Sequence, residues 1–231
     1  MGSATISDKG WQHYNIWNHS SAVHDLYARR CQLKAVEMTC AAQAAELLEP
    51  HVKPGNSVLD VGCGSGYFYH SLRRRGLDAE YYGIDATPSL IAIGQEYMPA
   101  YGLPADRLMT IRIEDLMASV DHAVCLNVLS NIDNYERPLE RILKSTRKSV
   151  ILRESLKQGA EFSYVKDEYL DPGCDLKVHV NSYDIDEFCD FIRAYGFEPT
   201  TVTDRYTGGE PELVIGYPHH WTFIVATKPG A

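Results

Sequence analysis

Apolar runs of strand length alternate with stretches of helical period along most of the chain, the pattern of a parallel sheet with crossover helices. Helical spacing covers roughly 21–48 and is ended by Pro50 and Pro54. Strand-like runs follow at about 57–61, 80–84, 108–113, 122–127 and 149–152, with helices expected at 66–75, 88–98 and 134–144. Thr87-Pro88 marks one helix start as an N-cap followed by proline at the first helical position. Leu139, Ile142 and Leu143 give another helix its buried stripe. From 154 to 181 the period lapses into a polar and aromatic stretch expected to be irregular. Ser182 then caps a helix carrying Ile185, Phe188, Ile192 and Tyr195 on one face, with Gly196 as its stop. Two strands, 198–205 and 221–227, close the pattern across a Gly- and Pro-containing link at 207–218.

The first strand runs into Asp60-Val61-Gly62-Cys63-Gly64-Ser65-Gly66-Tyr67. Glycine at every second position lets the backbone turn tightly and approach a ligand without Cβ clashes, and the next helix aims its free N–H groups at the same spot. Such turns serve many nucleotide ligands. Two residues narrow the choice. Asp60 replaces the apolar residue of a dinucleotide turn, and Tyr67 stands where the third glycine of G-x-G-x-x-G would be. A carboxylate there suits a cationic ligand and repels a pyrophosphate.

Asp60-x-Gly62-x-Gly64-x-Gly66 resembles the signature turn of the class I S-adenosylmethionine-dependent methyltransferases. The resemblance covers about 56–228. It implies an α/β fold: a doubly wound, mostly parallel seven-stranded sheet with the last strand antiparallel, under an N-terminal helical lid. It implies one methyltransferase domain over 1–231, divided into a lid segment (11–50), a cofactor-binding half (56–153), an acceptor-binding insertion (154–181) and a C-terminal helix and strand pair (182–228). The implied cofactor is S-adenosylmethionine, with S-adenosylhomocysteine as product. Its methionine end would meet Tyr27, Asp60, Gly62, Cys63, Gly64, Gly66 and Asn127. Asp85, with Ala86 beside it, would accept both ribose hydroxyls, which an ionised carboxylate does well. One of Glu114 and Asp115 would hold adenine, and the sequence leaves open which.

Transfer of a methyl group needs the acceptor's lone pair held in line with the leaving bond and water kept out. A base is required only when the acceptor hydroxyl is poorly acidic. His19, His24, His179, His219, His220 and Glu154 are the candidates. His19, Glu154 and His179 are carried forward with Asn131, which occupies a place where many small-molecule members have a histidine. The aromatic segment around Tyr14, Trp17 and Tyr27 reads either as a lid over the reacting groups or as a scaffold helix. Tyr14, Trp17, Tyr164 and Tyr169 are expected to line the acceptor. The carboxylate pair for a divalent ion is incomplete at Asp133 and Glu154, so metal independence is expected.

Over 231 residues the net charge is −9, which argues against a nucleic-acid partner, since a phosphate backbone demands a basic face. Arg73-Arg74-Arg75 suits a helix C-terminus before Gly76. No run is long and apolar enough for a bilayer span, no membrane partner is expected, and scattered cysteines without C-x-x-C pairs fit a cytoplasmic protein. The expected partner is a small polar or aromatic acceptor, methylated on oxygen, with nitrogen as the variant; a homodimer is compatible. The competing classes are an NAD-dependent oxidoreductase and a catalytically silent cofactor-binding module.

Overall fold

The computed structural model describes residues 15–167 and 175–230. Tyr14 and Tyr169 lie outside the described residues. Chain order begins with helices α1 (Ile16–His19), α2 (Ser21–Cys31) and α3 (Thr39–Leu48). The single helix expected over 21–48 is thus broken at 32–38, where Leu33 adopts a positive φ of 57°. Ser20 caps α2 by accepting the Val23 N–H at 3.2 Å, which satisfies one of the orphan donors of the first turn.

Five strands alternate with crossover helices: β1 (Ser57–Val61), α4 (Phe68–Arg74), β2 (Glu80–Asp85), α5 (Pro88–Tyr97), β3 (Leu108–Thr110), β4 (Val120–Leu126), α6 (Glu136–Ser145) and β5 (Thr146–Lys157). The third strand is shorter than its apolar run, because Ile113–Asp115 form a 3₁₀ turn. The fifth is far longer, running from Thr146 to Lys157, five residues past the expected end at Leu152, and carrying Glu154 into the interior.

The stretch at 154–181 is not irregular where described. It forms a hairpin of β6 (Tyr164–Lys166) and β7 (Lys177–His179), and Glu161 bridges Ser182. Asp184 at the end of β8 (Tyr183–Asp184), rather than Ser182, caps α7 (Ile185–Ala194) by accepting from the N–H groups of Asp186 and Glu187. After β9 (Glu198–Thr203), the link folds into a second hairpin, β10 (Glu212–Val214) and β11 (Tyr217–His219), before β12 (Trp221–Thr227).

The main sheet has the order β3-β2-β1-β4-β5-β12-β9, with β8 added beside the end of β5. The first five strands pair parallel, and β12 lies antiparallel between β5 and β9. Alternation along the strands sorts the core into two layers. Leu59, Val61, Leu152 and Leu156 pack with α6 and α7, while Val58, Tyr81, Ile151 and Phe223 pack with α3, α4 and α5. A third cluster has no strand of the main sheet in it. Ile16, Val23, Leu90, Val178 and Val180 are its buried members, with Trp17, Tyr27, Ile215 and Tyr217 against them. That cluster gathers the N-terminal helices and both hairpins into one roof, and Asn15 pairs with Lys177 to join two of its parts.

Candidate cofactor and acceptor site

Strand order reverses between β1 and β4, so the strand ends there form the crevice in which open α/β sheets bind ligands. The glycine turn stands in that crevice. Gly64 has φ 57°, and a Cβ placed on it would lie 2.1 Å from the Tyr27 ring, so the turn and the lid helix α2 close against each other. Cys31 Sγ donates to Ser65 Oγ at 3.0 Å and fixes the same helix to the same turn. From the other side Gly94 of α5 comes so near that a Cβ would meet the Ser65 carbonyl at 2.4 Å. Tyr27 of this segment packs directly on the turn, while Trp17 packs with Ile16 and Val23 in the third cluster.

Asp60 is 4% exposed, on the layer that holds Val58 and Tyr81. The Tyr81 hydroxyl donates to its Oδ2 at 2.6 Å, and no cation pairs with it among the described residues. Burial pushes its carboxyl up to about 7, against the pull of the Tyr81 hydrogen bond and with a contribution from the nearby Asp85 charge. Asp85 accepts the Gly64 N–H and the Thr87 N–H, each at 2.8 Å, one on each oxygen. It therefore both fixes the turn that leads into α5 and ties the glycine turn to β2, while each oxygen keeps a lone pair for a further donor. Its carboxyl is also raised, by burial first. Cys63 is buried with its thiol pushed well up, and Gly62 and Gly66 share positive φ. Ala86 follows Asp85 at the end of β2, half-buried. Glu114 is half-buried and 3.4 Å from the Arg112 guanidinium, whereas Asp115 is exposed.

The tips of β4 and β5 differ from expectation. Asn127 adopts φ 59°, and its Oδ1 accepts from Arg153 Nη1 at 2.5 Å, so its side chain is held by the protein itself. Asn131 donates to the Asn127 carbonyl at 2.5 Å. Glu154 is 1% exposed and accepts four hydrogen bonds: from the N–H groups of Val128 (3.2 Å), Leu129 (3.0 Å) and Ser130 (2.8 Å), and from Ser130 Oγ (2.7 Å). Burial pushes its carboxyl up to about 7 despite those bonds. With the lone pairs of both oxygens engaged, it holds the loop after β4 in place and has none left for a substrate proton. It also lies on the layer opposite Asp60.

His19 is exposed at the end of α1. His179 stacks on Tyr164 with ring centroids 4.4 Å apart, and burial lowers its pKa while the Asp133 charge raises it. A cavity of about 130 Å³ lined by Asp133, Tyr135, Phe162, Tyr183 and Glu187 shares no lining residue with the glycine turn.

Several contributors escaped the sequence. Arg30 lies over the rings of Tyr27 and Tyr67, at 5.1 and 4.9 Å from their centroids. Arg153 is 4% exposed, pairs with Asp204 at 2.8 Å and stacks over Trp221 at 4.4 Å. A charged residue inside the apolar run Val150-Ile151-Leu152-Arg153 was its only sequence signal. Among the described residues no three His, Cys, Asp or Glu side chains converge to hold a metal, and no helix is long and apolar enough to cross a membrane.

Comparison with known proteins agrees with this geometry. Residues 59–151 match a family model described as a methyltransferase domain. The chain is 38% identical over 107 residues to a tRNA U34 carboxymethyltransferase of Trichlorobacter lovleyi, covering 42% of this chain and 30% of that protein. It is 33% identical over 86 residues to a ubiquinone biosynthesis O-methyltransferase of Chromobacterium violaceum, covering 36% of each. The chain thus spans about a third of the length of these curated relatives. The solved structure of magnesium protoporphyrin IX methyltransferase from Synechocystis with bound SAM superposes with a TM-score of 0.64 at 16% identity, over 98% of this chain and all of that one. The strand order with its antiparallel β12 gives this chain the fold of that S-adenosylmethionine-dependent methyltransferase, and residues 59–151 carry the match to a methyltransferase domain.

Proposed function

We propose that the protein transfers a methyl group from S-adenosylmethionine to a small polar or aromatic acceptor, on oxygen and without a metal ion. The observation that carries this reading is Asp60: a buried carboxylate beside a glycine turn, with one hydroxyl donor and no cation among the described residues. A cationic ligand there satisfies it, and a pyrophosphate does not. When bound, S-adenosylmethionine supplies a methyl carbon already activated by a positive sulfur.

The chain's own residues do the rest. Asp60 faces the positive methionine end beside Gly62, Cys63 and Gly66, Tyr27 closes over Gly64, and Arg30 braces Tyr27 and Tyr67. Asp85 takes the ribose hydroxyls on its remaining lone pairs, with Ala86 alongside. Glu114, half-buried where Asp115 is exposed, takes adenine. Asn127 and Asn131, fixed by Arg153 and by each other, set the position of the loop beside the reacting centre rather than moving a proton. The roof cluster that includes Trp17 and packs β6 and β7 excludes water and meets the acceptor.

Net charge −9 supports a small acceptor over a nucleic acid, although several relatives are named for tRNA or rRNA. The described free cysteines, all buried, go with a cytoplasmic setting. A crystal structure with S-adenosylhomocysteine tests the reading: ribose hydroxyls on Asp85 and adenine at Glu114 support it, and ligand density elsewhere contradicts it.

A further inference from the structure

Two of the candidate bases, His24 and His219, have a buried Nε2 with no hydrogen-bond partner among the described residues, and of the two only His219 is itself fully buried. His219 closes β11 with 1% exposure, and its Nε2 is buried with no hydrogen-bond partner among the described residues. Its Nδ1 lies 3.2 Å from the Tyr217 carbonyl oxygen. A carbonyl only accepts, so Nδ1 carries the hydrogen, and in the neutral ring Nε2 presents a lone pair. Leaving such an acceptor buried and unpaired costs free energy, which is tolerated where a ligand supplies the missing donor.

The place is right for an acceptor. The His219 ring packs on Trp221 at 4.7 Å, and Trp221 lies under the Arg153 guanidinium, whose Nη1 reaches Asn127 at the tip of β4. These contacts link His219 to the crevice beside the glycine turn. Trp221 is itself fixed by donating its indole N–H to Glu212 at 2.7 Å. Tyr217 and Ile215 of the same hairpin belong to the roof cluster.

We propose that His219 Nε2 receives the hydrogen of the acceptor's hydroxyl, which makes the acceptor a neutral O–H compound seated against the Trp221 indole. The proposal rests on the methyl-transfer reading above and assigns its proton acceptor. The hydroxyl proton passes to Nε2, the freed oxygen pair forms the bond to the methyl carbon, and the carbon–sulfur pair stays with sulfur; the imidazolium then loses its proton to water. Burial favours the neutral ring most; the Tyr217 carbonyl and Glu212 oppose it, and the smaller contributions of His220 and Arg153 add to it. The sum lowers the histidine's pKa, so the lone pair is available at neutral pH.

The test uses the full chain labelled with ¹⁵N-histidine and saturated with S-adenosylhomocysteine, with phenol and anisole as probes. The resonance missing from His219→Gln should report an Nδ1–H tautomer, and its Nε2 signal should move with phenol but not with anisole, which has no O–H. In His219→Gln, calorimetry should give an unchanged S-adenosylhomocysteine affinity, while phenol binding weakens about tenfold or more, the scale of a lost hydrogen bond in a buried site. An Nε2–H tautomer, equal responses to phenol and anisole, or no response to either would overturn the proposal with cofactor binding intact. Failure of S-adenosylhomocysteine to bind the wild type would remove the methyl-transfer reading and the proposal with it.

Discussion

Asp60 and Glu154 are two buried carboxylates on strands of one sheet, both pushed up to about 7 by burial, and they serve opposite purposes. Glu154 is saturated by four donors from the loop that follows β4. Among the described residues Asp60 has a single side-chain donor, the Tyr81 hydroxyl. A carboxylate whose acceptor sites are filled by the backbone holds structure; one left mostly bare beside a glycine turn is completed by a ligand. Burial and a raised pKa alone do not separate the two, whereas a count of donors does.

The sharpest way to break the comparison is to remove each carboxylate. Glu154→Ala strands three buried N–H groups and the Ser130 hydroxyl, so urea unfolding should lose about 3–5 kcal/mol, the range for uncovering a buried hydrogen-bonded charge. A loss below 1 kcal/mol would mean that the loop does not depend on it. Asp60→Asn keeps an acceptor for Tyr81 and removes a buried charge, so stability should hold or rise. Its S-adenosylmethionine affinity should instead fall by about 1.5–3 kcal/mol, the worth of a charged partner. Equal losses of stability in both variants would erase the distinction.

A smaller effect is expected from Gly94→Ala, whose Cβ would press on the Ser65 carbonyl. Shifting the glycine turn should weaken cofactor binding more than it lowers stability, with a stability cost of about 1–3 kcal/mol typical of overpacking. The smallest and most discriminating effect is on pH. Empty, Asp60 is half protonated near pH 7; a bound cation favours its ionised form, so binding releases a proton and tightens as pH rises from about 6 to 8. Calorimetry in buffers of different ionisation heat should register that release, and Asp60→Asn should abolish it. Turned on the fold, the same raised values in Asp60 and Glu154 give stability that is full below about pH 4 and lost as pH passes 7. Their contribution therefore opposes that of His122, lowered to about 4 by burial, which is lost as pH falls from about 6.5 to 4.

What the sequence carried was local. Strands β1 and β12 were found at their true limits because apolar runs and glycine punctuation mark them, and Asn134 was placed at the start of α6, where it accepts the Glu136 N–H. The two hairpins at β6–β7 and β10–β11 were missed because their strands are three residues each and half exposed, too short to show a period. The helix expected to run to 48 is split by a backbone reversal at Leu33, a residue with no turn preference. For the site, Asp60 and Asp85 were legible from spacing to the glycines. Glu154, expected at the tip of the fifth strand, lies inside β5, and spacing says nothing of which donors a folded loop will turn toward it. Arg153, Trp221 and the orphaned nitrogen of His219 depend on contacts between distant segments, which no local pattern encodes.

The central claim is that the bare carboxylate of Asp60 marks a site for a cationic adenosyl ligand. Parallel calorimetric titrations of the wild-type chain with S-adenosylmethionine and with NAD test it most directly. The account predicts saturable micromolar binding of S-adenosylmethionine, about −8 kcal/mol, and no heat from NAD. Saturable NAD binding with a silent S-adenosylmethionine titration would contradict it.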